Sequence, residues 1–164
     1  MEETVAVPEI TIDDFSYGDK TLGEWANELT VIIPSLPTQT EIIQNKIIDV
    51  NNKYQLAYNC YNELKVVCSA KKSTFTTAKN NVMATLSAEY RTSGVKSPAK
   101  DILESLATSN DAVKDLYEDL KIYELIMDFF EDHKIKLEKA SQICTSIMYS
   151  VKGSDKVHHN GSFA

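Results

Sequence analysis

Tyr90, Arg91, Lys96 and Lys100 fall within one short stretch, AEYRTSGVKSPAKD (residues 88–101), together with a glycine and a proline. An aromatic face beside several cations suits polyanion binding, since the ring stacks on a base while the cations hold phosphates. Lys65, Lys71, Lys72 and Lys79 precede this stretch, and Glu89 is the sole acid between residues 65 and 100. That segment therefore carries +6 in a chain whose net charge is −7. Residues 1–36 sum to −7, residues 37–64 to −1 and residues 101–152 to −5, so the positive charge is localised. Lysines on a long helix can also serve only to solvate it. The polyanion reading selects Lys71, Lys72, Lys79, Tyr90, Arg91, Lys96 and Lys100 as DNA-binding candidates. Tyr54 and Tyr61 lie on an apolar stripe and read as core, with Tyr58 between them.

Catalytic constellations are missing from the sequence. His133 falls in a helical pattern, and His158 and His159 fall in a Gly/Ser-rich tail, with no Cys or carboxylate at nucleophile or metal spacing. Asp128 and Asp132 read as ordinary i,i+4 neighbours, and no glycine-rich phosphate cradle occurs. The expectation is a non-enzymatic protein without a cofactor or a metal. Cys60 and Cys68 are eight residues apart in a helical pattern, roughly 12 Å along the axis and too far to bridge. With Cys144 they read as buried thiols of a reducing compartment. The longest apolar runs, Val31–Ile33 among them, are three residues, far too short for a membrane span. A soluble, cytoplasmic protein is expected.

The elements that must carry the basic segment are helical. Residues 1–20 hold six acids and one lysine without helical period, and read as a flexible acidic leader. TLGE at Thr21–Glu24 fits a capping box, opening a short helix over 21–33 that PSLP ends. TQTE at Thr38–Glu41 fits another and opens a long helix over 38–93. There Ile43, Ile47, Val50, Tyr54, Ala57, Tyr61, Leu64, Cys68, Lys71, Phe75, Ala78 and Val82 alternate by fours and threes. KKSTFTT, residues 71–77, puts a lysine on the seam and β-branched threonines beside it, so a bend or a frayed turn is expected there. Gly94 reads as the stop, Ser97 as the next N-cap and Pro98 as its first helical residue, giving a short helix over 98–107. A last helix, 110–152, carries a stripe through Val113, Leu116, Leu120, Tyr123, Met127, Phe130 and Leu137 until Gly153, beyond which residues 153–164 read as a disordered tail. Two long helices joined by a corner fold back to cover their stripes. The fold class is all-α: a long antiparallel, coiled-coil-like hairpin with short flanking helices.

IYELIMDFF, residues 122–130, is apolar nearly all round, which is more than one partner helix can cover. Self-assembly is expected, with Leu116, Leu120, Tyr123, Met127, Phe130 and Leu137 as the oligomerisation residues.

Over residues 21–152 the order of features resembles the UvsY-type recombination mediator proteins of T4-like phages. The resemblance rests on TLGEWANEL, on ATLSAEYRTSG, which is similar to the family's Ala-basic-Leu-acidic-Tyr…Ser-Gly segment, and on ESLATSNDAVKDLYEDLKIYELIMDFFEDHKIKLEKAS, which is similar to its C-terminal assembly helix. It implies a ring-like homo-oligomer that binds single-stranded DNA without sequence preference. It further implies help to a RecA-like recombinase in displacing the single-strand-binding protein, in the cytoplasm of a phage-infected host. The family's basic DNA contacts match Met83 and Thr85 here, both uncharged, which shifts the expectation to Lys79, Arg91 and Lys96 nearby. The alternative from a different class is a self-assembling helical scaffold or chaperone that binds a protein partner.

Overall fold

The computed structural model describes residues 12–159. The part of the leader before residue 12 and the part of the tail after residue 159 lie outside the described residues. A 3-10 turn, Ile12–Asp14, leads into two antiparallel strands, β1 (Ser16–Tyr17) and β2 (Lys20–Thr21). Gly18 opens their two-residue turn with φ 65°, the left-handed backbone that a II′ hairpin needs at its first position. The end of the leader is thus ordered, because Tyr17 packs its ring on Phe130 at 5.4 Å and accepts the Trp25 indole N–H at 2.9 Å.

Helix α1 (Leu22–Leu29) starts with the capping box expected from TLGE. Thr21 accepts from the Glu24 amide at 3.2 Å, and Glu24 accepts from the Thr21 amide at 2.8 Å. Helix α2 (Thr40–Thr92) runs unbroken through KKSTFTT. The threonine hydroxyls there donate to carbonyls four residues back, Thr74 to Ala70 and Thr76 to Lys72, so they find partners without leaving the helix. Gly94 ends α2 at φ 73°, with Val95 N–H bonded to the Tyr90 carbonyl and Gly94 N–H to that of Arg91, the bond pair of a Schellman motif. Helix α3 (Lys100–Thr108) begins two residues later than Ser97–Pro98 suggested, and its N-cap, Ala99, has no side-chain oxygen to offer. Helix α4 (Asp111–His159) continues past Gly153, which costs the helix about 1 kcal/mol relative to alanine and does not stop it.

The chain divides into two compact units, cut after Tyr61 in α2 and before Asp128 in α4. In the first, α1 buries Leu22, Trp25 and Leu29, α2 buries Ile43, Val50 and Ala57, and α4 buries Phe130, Leu137 and Cys144. Asn51 faces Ser141 and Tyr61 faces Lys134, so α2 and α4 run antiparallel there. In the second, Lys71 meets Asp119 and Tyr123 while Phe75 meets Tyr117, again antiparallel, around buried Leu64, Cys68, Leu103, Val113, Leu120 and Ile126. No residue of α2 beyond Cys68 is buried; Phe75, Val82, Leu86 and Tyr90 reach only half-burial.

The residues assigned to assembly are placed differently from that expectation. Leu120, Phe130 and Leu137 are buried inside the chain at 4, 0 and 3% exposure, and Leu116, Tyr123 and Met127 are half-buried in its own seam. Because 122–130 is apolar all round, periodicity could not tell which arc α2 and α1 would cover. The apolar side chains that α4 leaves exposed include Ile122, Leu125, Ile143 and Tyr149. Leu120→Ala should therefore cost about 2–5 kcal/mol, while Leu116→Ala and Met127→Ala fall clearly below it. Denaturant titration of the three variants checks this; equal losses would mean the burial difference carries no energy.

Candidate nucleic-acid interface

The basic segment lies on α2 and the corner that follows it, in the second unit. Lys65, Lys72 and Lys79 stand seven residues apart on one unbroken helix, so each is rotated by only about 20° from the last and raised by about 10 Å. They form a row along one flank of the α2 seam. Lys65 and Lys72 are exposed and Lys79 is half-buried. Among the described residues, none of Lys65, Lys72, Lys79, Arg91 and Lys96 has a carboxylate within ion-pair distance. Their charge is available to an external anion.

Two of the seven candidates differ in kind. Lys71 is tied across the seam to the Asp119 carboxylate and lies 4.2 Å over the Tyr123 ring. It holds the helix pair rather than a ligand. The hydrogen bond to Asp119 raises the Lys71 ammonium above its ordinary value, opposed by partial desolvation and aided by the charge of Asp119. What the pair adds to stability is complete below the usual lysine range and fades as pH climbs through the raised value. Lys100 lies 4.0 Å from Glu104, one turn on in α3, an exposed contact of little energetic weight.

Tyr90 is half-buried and lines a shallow cleft of about 250 Å³ with Leu86, Glu89 and Ser93. Glu89 makes this cleft unfavourable for a phosphate, but the ring and Leu86 suit a base. Arg91, the next residue, is exposed, as is Lys96 beyond the Schellman turn. The corner thus carries one half-buried aromatic ring followed in the chain by two exposed cations, with the lysine row on the same helix before it.

Sequence reasoning counted Lys65 in the local charge but left it out of the candidate site. Its signal was the seven-residue interval to Lys72 and Lys79. The same reasoning counted the acids of residues 101–152 apart from the basic segment, whereas the fold places part of them in the same unit. Residues 62–127 contain nine basic and nine acidic side chains, the acids gathered mainly on α3 and α4. The positive field is that of one face of the unit, with no net charge on the whole.

Set against protein-family models, curated proteins and solved structures, the chain matches none. The site must speak through its own chemistry. Among the described residues there is no group of three or more His, Cys, Asp or Glu able to hold a metal ion, and no helix long and apolar enough to cross a membrane. Cys60, Cys68 and Cys144 are buried thiols, and burial raises the Cys144 thiol above its ordinary value, opposed by the charge of Lys46.

Proposed function

We propose that this protein is a single-stranded DNA-binding recombination mediator that helps load a RecA-like recombinase onto DNA coated by single-strand-binding protein. The observation that carries the reading is the row of unpaired cations, Lys65, Lys72 and Lys79, leading to Tyr90 and Arg91. A flexible strand can follow such a row with its phosphates and lay a base on the tyrosine. Nothing in the row reads a base edge, so binding is indifferent to sequence. The likeness of ATLSAEYRTSG and of the C-terminal helix to UvsY-type mediators supplies the recombinase, the single-strand-binding protein, the ring-like homo-oligomer and the host cytoplasm as part of the proposal. Exposed Ile122, Leu125, Ile102 and Leu106 in the second unit give a self-assembly surface something to use. These same residues, with the balanced charge of that unit, favour the second reading, a helical scaffold or chaperone whose lysines only solvate it.

Anisotropy of a labelled thymidine homopolymer, titrated across a salt series, separates the two. The mediator reading expects binding at low salt that falls with a log–log slope of about −0.7 per phosphate contacted. Tyr90→Ala should weaken binding by about 1–3 kcal/mol with the slope unchanged, because stacking releases no ions. No binding at low salt would leave the scaffold reading standing.

A further inference from the structure

We infer that the outer face of α4 in the second unit seats on the lysine row of a second copy of this chain, so that self-association and strand binding compete for the same cations. The interface stands apart from nucleic-acid binding; only the competition rests on that reading. On α4, Asp111, Asp115, Glu118, Ile122 and Leu125 follow one another by fours and threes, which places them in one stripe of the helix, and all five are exposed. The residues that α4 buries in this unit are a different set, Val113, Leu120 and Ile126. The stripe is thus left uncovered by its own chain, with Ile122 at 43% and Leu125 at 46% exposure. Asp111 and Asp115 have no ion pair among the described residues, and Glu118 has an exposed contact to Lys114 at 3.7 Å.

Charge and spacing name the occupant. Asp111 and Glu118 stand seven residues apart on one helix, as do Lys72 and Lys79 on the other, so each pair spans about 10 Å. Laid antiparallel, the stripe of one copy sets Asp111 against Lys79 and Glu118 against Lys72 of the next. The same register brings Leu125 beside Lys65 and Val66, and Val66 is 70% exposed. Laid parallel with Glu118 still against Lys72, Leu125 would fall at Lys79 and Val66 would stay wet. The antiparallel register therefore matches the charges and covers apolar surface together. Exposed ion pairs hold little by themselves, so they set the register while Leu125 and Ile122 supply the contact. Because a stripe meets a row rather than another stripe, the interface is heterologous and can add further copies. A row covered by a neighbour's carboxylates is closed to phosphates, and a strand that binds there displaces the neighbour.

Sedimentation velocity of the full chain across a salt series reads the association, which should weaken as salt rises from about 0.05 to 0.5 M. Lys72→Glu and Glu118→Lys should each weaken it about tenfold. The double variant, Lys72→Glu with Glu118→Lys, should regain most of that loss, because the pair is restored with its signs exchanged. Leu125→Ser alters no charge, yet it should loosen the assembly and raise the apparent affinity for a labelled thymidine homopolymer. A monomer at low salt, association indifferent to salt, or a double variant weaker than either single one would overturn the interface. A restored double variant, with a wild-type assembly that the homopolymer neither binds nor dissociates, would uphold the interface but overturn the competition and the mediator reading with it.

Discussion

Phe130→Ala lowers the stability of the first unit by about 3–5 kcal/mol, the largest loss expected from a single substitution in this chain. The side chain is fully enclosed, and its ring meets Tyr17 at 5.4 Å, Trp25 at 5.3 Å and Phe129 at 5.2 Å, each edge to face. One truncation therefore removes the common partner of β1, α1 and α4. It opens a cavity and deletes three aromatic contacts, each worth roughly 0.5–1.5 kcal/mol beyond area burial. For a chain of this length the melting temperature should drop by roughly 6–20 °C. Far-UV circular dichroism follows the global transition, and Trp25, the single tryptophan and 7% exposed, reports on the first unit through its emission. Phe129→Ala, at a half-buried position on the same turn, should cost less. A Phe130→Ala melt within two degrees of wild type, with unshifted tryptophan emission, would refute the packing described for this unit.

Replacing Lys65, Lys72 and Lys79 together by alanine should weaken single-stranded DNA binding about 100-fold near 0.1 M salt, since three contacts at −0.7 each contribute about two decades. The salt slope should flatten by about two units in the same titration. The three side chains have no ion pair among the described residues and are not buried, so the helix should remain folded. A matched control is Lys114 and Lys121 to alanine on α4, where each lysine already faces a carboxylate, Glu118 at 3.7 Å and Glu124 at 2.6 Å. The control should bind nearly as wild type. If the triple variant keeps its affinity and slope, the lysine row is not the site, and the scaffold reading takes its place.

Much of the helical skeleton was legible because its signals are local. The capping box at Thr21–Glu24, the left-handed turn at Gly94 and the seam through Ile43, Val50, Ala57 and Leu64 depend on residues within a few positions of one another. Backbone geometry at that range follows from residue type. The signals that misled were also local, but they competed with something stronger. Gly153 carries a modest helix penalty that neighbouring helical residues outweigh, and the threonines of KKSTFTT find hydrogen-bond partners inside the helix.

What the sequence alone determined, then, is the helical text and the placement of +6 between residues 65 and 100. Tertiary structure decided which charges remain free and which apolar residues remain wet. Lys71 and Lys72 are adjacent and identical in type, yet one is neutralised by Asp119, 48 residues away, while the other faces solvent. Met127 and Phe130 share the same predicted stripe, yet Phe130 is sealed by Tyr17 and Trp25 while Met127 is only half-buried. Periodicity fixes only the angle of a side chain about its own helix. Whether that angle meets a carboxylate, an aromatic ring or water depends on the element packed against it, and that element lies far along the chain.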